Sequence, residues 1–190
     1  MKVNSGLRHL FVSQTRQKLL KLFFSSPSDI FYVRQLVRLS GEEINSVRRE
    51  LANLASAGIL LSETRSNRLF YWPNSSHPLH LDLLVLAHKS SGLAQALQNK
   101  RRSKEIKLLL YSYRFLSGAV FSPDRVDLIM VGDFSIKEID PVVKDEEKRR
   151  NREINYMVMD KAEFRLRQQK RDSILVDFLL DMPLIILGHP

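Results

Sequence analysis

Residues 42–72, EEINSVRRELANLASAGILLSETRSNRLFYW, decide how the chain is read. From Glu42 onward, Ile44, Val47, Leu51 and Leu54 recur at steps of three and four. That spacing turns one apolar face inward and leaves Asn45, Ser46, Arg48, Arg49 and Asn53 largely outside it. Ala57-Gly58 ends this helix, because glycine takes the left-handed backbone of a C-terminal cap without strain. Two β-prone runs follow, Ile59 to Glu63 and Arg68 to Trp72, joined by Thr64-Arg65-Ser66-Asn67 and closed by Pro73. They predict a hairpin with a basic tip.

Upstream, Ser13 is placed to cap a helix whose buried stripe is Leu19, Leu20, Leu22, Phe23 and Phe24, ended by Ser25-Ser26-Pro27. Ile30-Phe31-Tyr32-Val33 reads as a short strand, and Arg34 to Leu39 as a short helix stopped at Ser40-Gly41. Helix, strand, helix, turn, helix, hairpin is the order of a winged helix-turn-helix. In that arrangement the third helix enters the DNA major groove and the hairpin touches backbone or minor groove. Asn45, Ser46, Arg48 and Arg49 supply the polar and cationic outer face that base edges and phosphates require. Arg65, Asn67 and Arg68 on the hairpin are the matching backbone or minor-groove contacts, whose contribution falls with salt. The plainer reading makes Arg48, Arg49 and Arg65 an ordinary solvated face of a winged domain used in protein contacts. Glu42 and Glu43 favour the helix dipole but would repel phosphate unless they accept from cytosine. Phe70, Tyr71 and Trp72 are expected to pack in the strand rather than to stack on bases.

Composition agrees with a folded nucleic-acid binder. The 190 residues are 44% hydrophobic and 27% charged, and 30 Lys and Arg against 21 Asp and Glu give +9. Residues 1–90 hold 12 basic and 6 acidic side chains, net +6, whereas 91–190 hold 18 and 15, net +3. The excess therefore lies in the half with the presumed recognition helix. The absence of cysteine excludes disulfides, thiolate metal sites and cysteine nucleophiles. No apolar run approaches the about 20 residues of a membrane helix, and Met1 to Leu10 lacks the apolar region of a secretory signal, so a cytoplasmic, non-membrane protein is expected. The apolar stretch Leu79 to Leu86, followed by Lys89-Ser90-Ser91-Gly92, places a domain boundary near residue 90.

The second half alternates. The sequence predicts a helix from Leu93 to Lys104 and strands at Ile106 to Tyr111 and Val126 to Val131. A polar helix, Val142 to Arg150, and a strand, Ile154 to Met159, come next. Helices capped by Asp160 and Ser173, running to Arg171 and Leu180, precede a last strand from Leu184 to Leu187. The expected fold class is therefore α+β, with a winged helix-turn-helix at 1–90 and a small mixed sheet at 91–190.

Residues 13–88, with IFYVRQLVRLSGEEINSVRRELANLASAGIL and SETRSNRLFYWPNSSHPLHLDL, resemble the winged-helix transcriptional regulators related to the ArsR group. RVDLIMVGD, REINYMVMDKAEFRLRQQ and PLIILG resemble the minimal nucleotidyltransferase domain of the polymerase-beta superfamily, and a fusion of these two parts is a recognisable family of transcriptional regulators. The resemblance implies three carboxylates holding two divalent cations and a Gly-Ser turn gripping the triphosphate. Here the Asp-x-Asp pair falls on Arg125-Val126-Asp127, leaving only Asp127, and the Gly-Ser turn falls on Ser112-Tyr113. The third carboxylate position carries Asn155; Glu153 and Asp124 lie on the wrong strand spacing to replace the missing acids. A lone Asp127 cannot assemble a two-metal site, so a pseudoenzyme without cofactor or bound metal is expected, serving self-association, sensing of a small-molecule or protein effector, or partner binding. The competing expectation is an active nucleotidyltransferase that modifies a partner protein or small molecule and is targeted by its winged domain.

Other constellations are weaker. His77, His80 and Asp82 have a spacing that a helix could turn toward a metal, but no fourth ligand is near. Ser117-Gly118 has no His and Asp partners for nucleophilic chemistry, and Gly132-Asp133 reads as a strand-ending turn. Leu79 to Leu86 is a candidate seam for a homodimer that would set two recognition helices on a two-fold site of double-stranded DNA, or else packing between domains.

Overall fold

The computed structural model describes residues 11–99 and 106–188. The chain is α+β, with two small sheets, and divides into two compact units, Met1–Ser90 and Ser91–Pro190. The expectations for Met1 to Leu10 and for the end of the helix drawn to Lys104 lie outside the described residues.

In the first unit, α1 (Gln14–Ser25) starts at Ser13, whose hydroxyl accepts from the Arg16 N–H. β1 (Phe31–Tyr32) leads directly into α2 (Val33–Ser40). Gly41 ends α2 at φ +66°, donating its N–H to the Val37 carbonyl at 2.9 Å, the left-handed cap that glycine adopts at low cost. α3 (Ile44–Ser56) follows, then β2 (Leu60–Arg65), β3 (Arg68–Pro73) and α4 (His80–Lys89). The sheet order is β1-β3-β2, all antiparallel, with Phe31 opposite Tyr71 and Leu60 opposite Pro73. The hairpin loop is shorter than the four residues expected: Ser66 and Asn67 alone turn the chain, at φ +45° and +63°. Two consecutive left-handed residues match the strand twist and let pairing continue to Arg65 opposite Arg68. Leu19, Phe23, Leu36, Val47 and Leu51 form the centre of one buried cluster, which Leu84 and Ala87 of α4 join. The segment Leu79 to Leu86 is thus partly consumed by its own unit; Leu79 stays exposed.

In the second unit, α5 (Gly92–Asn99) packs on the helix Ile136–Arg150, and the strands are β4 (Ile106–Tyr111), β5 (Leu128–Gly132), β6 (Tyr156–Met159) and β7 (Leu184–Gly188). Their order is β6-β5-β4-β7; β4 runs antiparallel to β5 and β7, and β5 parallel to β6. All five residues of β5 are buried, as a strand covered on both faces requires. The connections are α6 (Tyr113–Leu116), α7 (Ile136–Arg150), α8 (Lys161–Gln169) and α9 (Ser173–Leu180).

Several boundaries move. α7 begins six residues before Val142, because Ser135 and Glu138 cap it and Pro141 is accommodated inside at the loss of one backbone bond. β5 and β6 start two residues later than expected, since Val126, Asp127, Ile154 and Asn155 belong to the loops that hold Asp127. α8 stops at Gln169 instead of Arg171, and Asp172 rather than Ser173 caps α9, accepting from the Leu175 N–H at 3.0 Å.

Candidate nucleic-acid interface

Three elements converge beside α3. Tyr32 closes β1, Arg34 lies in the first turn of α2, Arg48 projects from the middle of α3, and Asn67 and Arg68 come from the hairpin. Together they line a cleft of about 630 Å³ that no acidic side chain among the described residues enters. Of the residues expected on sequence to touch DNA, the structure brings Arg48, Asn67 and Arg68 to this cleft. Asn45 and Arg49 are exposed on α3 outside it, and Ser46 is half-buried there. Arg65 lies at the hairpin end with its Nε 2.6 Å from the Glu63 carboxylate. Arg34 is an addition. The sequence assigns it no contact with DNA, and its one signal there is an arginine directly after the strand expected at Ile30 to Val33; the structure leaves it exposed.

The acids near α3 are engaged elsewhere. Glu42 accepts from Lys18 Nζ at 2.5 Å and from Thr15 Oγ1 at 2.9 Å, and these bonds hold its carboxyl below the ordinary range. Glu43 is the N-cap of α3. Its carboxylate accepts from the Asn45 and Ser46 N–H groups at 2.8 and 3.0 Å, which lower its pKa. Glu50 is buried; burial pushes its carboxyl up, but bonds from Ser13 and Arg16 outweigh this and leave it lowered, with Arg16 Nε at 2.8 Å. Two acids therefore cancel cations of α1 and the third satisfies a helix end. Among the described residues no ion pair engages Arg34, Arg48 or Arg49. The repulsion expected from Glu42 and Glu43 is accordingly weakened.

The aromatic run of β3 divides between two faces. Tyr71 is buried in the core, as expected of strand packing. Phe70 and Trp72 point to the opposite face, half-buried, Phe70 beside Tyr32 and Trp72 beside Leu61, so packing in the core does not account for them.

In the second unit Asp127 is buried, and its two oxygens are occupied. Oδ1 accepts from Arg152 Nη2 at 2.7 Å and Oδ2 from the Asn155 N–H at 3.1 Å. Burial pushes its carboxyl up, and the Arg152 charge and Asn155 bond offset this only in part. Asn155 stands where the resemblance calls for an acid. Its side-chain amide donates to the carbonyls of Ser122, Pro123 and Arg125 at 3.0 to 3.1 Å, a task that an ionised carboxylate, which only accepts, cannot perform. Ser112 Oγ caps α6 by accepting from the Phe115 N–H at 3.2 Å, and Tyr113 projects outward beside it. Arg125, Asp124 and Glu153 are exposed.

The remaining candidates have local explanations. His77 Nδ1 accepts from the Leu79 N–H at 3.1 Å, while His80 is buried with its ring 5.7 Å from that of Phe24. Ser117 Oγ donates to the Arg114 carbonyl, and Gly132 is the last residue of β5. Among the described residues no group of three His, Cys, Asp or Glu could hold a metal, and no helix is long and apolar enough to cross a membrane. Comparison of the chain with family models, with curated proteins and with solved structures returned no match.

Proposed function

We propose that the protein is a transcriptional regulator that binds double-stranded DNA through a winged helix-turn-helix in residues 1–90. The observation that carries this reading is the cleft in which Arg34, Arg48, Asn67 and Arg68 meet with no carboxylate among the described residues lining it. In this reading α3 enters the major groove, with Asn45, Ser46, Arg48 and Arg49 toward base edges and phosphates. Arg34, Asn67 and Arg68 hold the flanking backbone, which fixes register while the base contacts specify sequence. The local net charge of residues 1–90 supplies the long-range attraction.

Residues 91–190 are read as a nucleotidyltransferase-like domain that has given up catalysis and serves self-association, effector sensing or partner binding. What supports this is the fate of its polar groups: Asp127 is committed to Arg152, Asn155 to three carbonyls and Ser112 to a helix end. A second copy would present two α3 helices to a two-fold site.

Selection of bound duplexes from a random pool by the full chain tests the reading. A shared sequence should emerge, and Arg48→Ala plus Arg49→Ala should abolish its enrichment. Enrichment unchanged by that double substitution would show that α3 does not read the groove.

A further inference from the structure

The outer face of the first sheet is built unlike a surface left to solvent. Register places Tyr32 opposite Phe70, Leu61 opposite Trp72 and Arg65 opposite Arg68, all on the side turned away from Leu60 and Tyr71 of the core. The rings of Tyr32 and Phe70 meet edge to face at 6.0 Å. The Arg68 guanidinium lies 5.3 Å from the Tyr32 ring, and that of Arg65 lies 6.0 and 5.8 Å from Phe70 and Trp72. The result is a sheet surface of half-buried rings interleaved with two guanidinium groups.

From this surface we infer that the sheet binds a short stretch of unpaired DNA strand, its bases stacking on Phe70, Trp72 and the guanidinium planes. Duplex bases have their faces covered by neighbours, so ring faces on an open sheet suit only unstacked bases, while arginines at the edge attract the backbone. Phe70 and Trp72 are two residues apart on one strand, about 7 Å. A stacked duplex rises only about 3.4 Å per nucleotide along its axis, and an unstacked strand is longer per nucleotide, so each ring takes one of two successive bases. Tyr32 and Arg68 also line the cleft beside α3, so the face continues from it. A strand opened next to the bound duplex would run directly onto the sheet. The choice of DNA rests on the proposed function above; the stacking surface itself does not. Glu63, opposite Phe70 and paired with Arg65, opposes binding and is the built-in competitor for Arg65.

Trp72 is the only tryptophan in the chain, which makes its fluorescence a direct reporter. The full chain is titrated with a thymidine oligonucleotide of about 10 residues, within the range that such sites cover. Saturable quenching is expected, about tenfold weaker in affinity for Phe70→Leu and for Arg65→Ala, and several-fold tighter for Glu63→Gln. Arg34→Ala plus Arg48→Ala should weaken duplex binding, measured by anisotropy, far more than it weakens this quenching. Absence of quenching while duplex still binds overturns the inference and leaves the proposed function standing. Quenching without duplex binding does the reverse. A change of Trp72 emission with protein concentration alone, accompanied by dimer formation, would assign the face to a second copy and also overturn the inference.

Discussion

Asp127→Ala separates a structural carboxylate from a catalytic one. In the wild type, Asp127 is 4% exposed and its partner Arg152 has a side chain 15% exposed, so the pair is shielded from water. Alanine leaves the Arg152 charge with backbone carbonyls alone as acceptors, Ala119 at 2.8 Å and Glu153 at 3.2 Å, and strips the Asn155 N–H of its acceptor. Removing one partner of a buried pair costs about 3–5 kcal/mol, because the surviving charge stays desolvated. For a unit of this size each kcal/mol lowers Tm by about 4–8 °C, so a fall of about 12 °C or more is expected in thermal denaturation followed by far-UV circular dichroism. Arg152→Met added to Asp127→Ala should recover part of the loss by removing the orphaned charge, and Asp127→Asn, which keeps an acceptor, should lose less than Asp127→Ala. The same proteins are assayed for Mg2+-dependent transfer from labelled ATP, where none is expected of the wild type. Wild-type transfer that disappears in Asp127→Ala at unchanged stability would refute the reasoning.

Two further outcomes follow from local geometry. A Cβ on Gly188 would stand 1.8 Å from the Lys107 carbonyl oxygen at a backbone φ of +82°, so Gly188→Ala should detach the end of β7 and lower Tm; an unchanged Tm would contradict this register. Burial depresses the His80 pKa below its ordinary 6.5, favouring the neutral ring in the folded state. His80 therefore contributes stability that is present above pH 6.5 and is lost as pH falls through the depressed folded value. The urea midpoint should drop between about pH 7.5 and about pH 5.5, and drop less in His80→Phe; equal drops would clear His80 of the effect.

The elements carried by strong periodicity were legible. Val47, Leu51 and Leu54 do face the first core, whereas Ile44, at the start of the same stripe, lines the cleft beside α3; β4 falls where the run Ile106 to Tyr111 placed it. What escaped was set by contacts distant in sequence or by brief local conformations. The pairing of Asp127 with Arg152 spans 25 residues and leaves no periodic trace, so the sequence shows Asp127 as the one carboxylate left at the family positions but not its ion pair. Its burial also shortened β5 and β6. α6 is only four residues long, below the length at which spacing reveals a helix. Pro141 hid the first turns of α7, and the left-handed Ser66 and Asn67 hid how short the hairpin loop is, since neither residue is glycine. In the candidate interface, Arg48, Asn67 and Arg68 could be chosen by element order alone. Arg34 required knowing that the start of α2 shares one cleft with α3 and the hairpin, and the two-faced use of Phe70, Tyr71 and Trp72 required the register with Tyr32.

In the proposed function, the cleft beside α3 holds duplex DNA phosphates. This is tested most directly by the salt dependence of duplex affinity for the full chain and for Arg34→Ala, Arg48→Ala, Arg68→Ala together. Each phosphate contact contributes about 0.9 to the slope of log affinity against log salt, so losing three should flatten the slope by about 2.7. Between about 50 and about 200 mM salt, the wild type should lose about 40-fold more affinity than the triple variant. Equal slopes for the two proteins would place the DNA elsewhere, or remove it from the account.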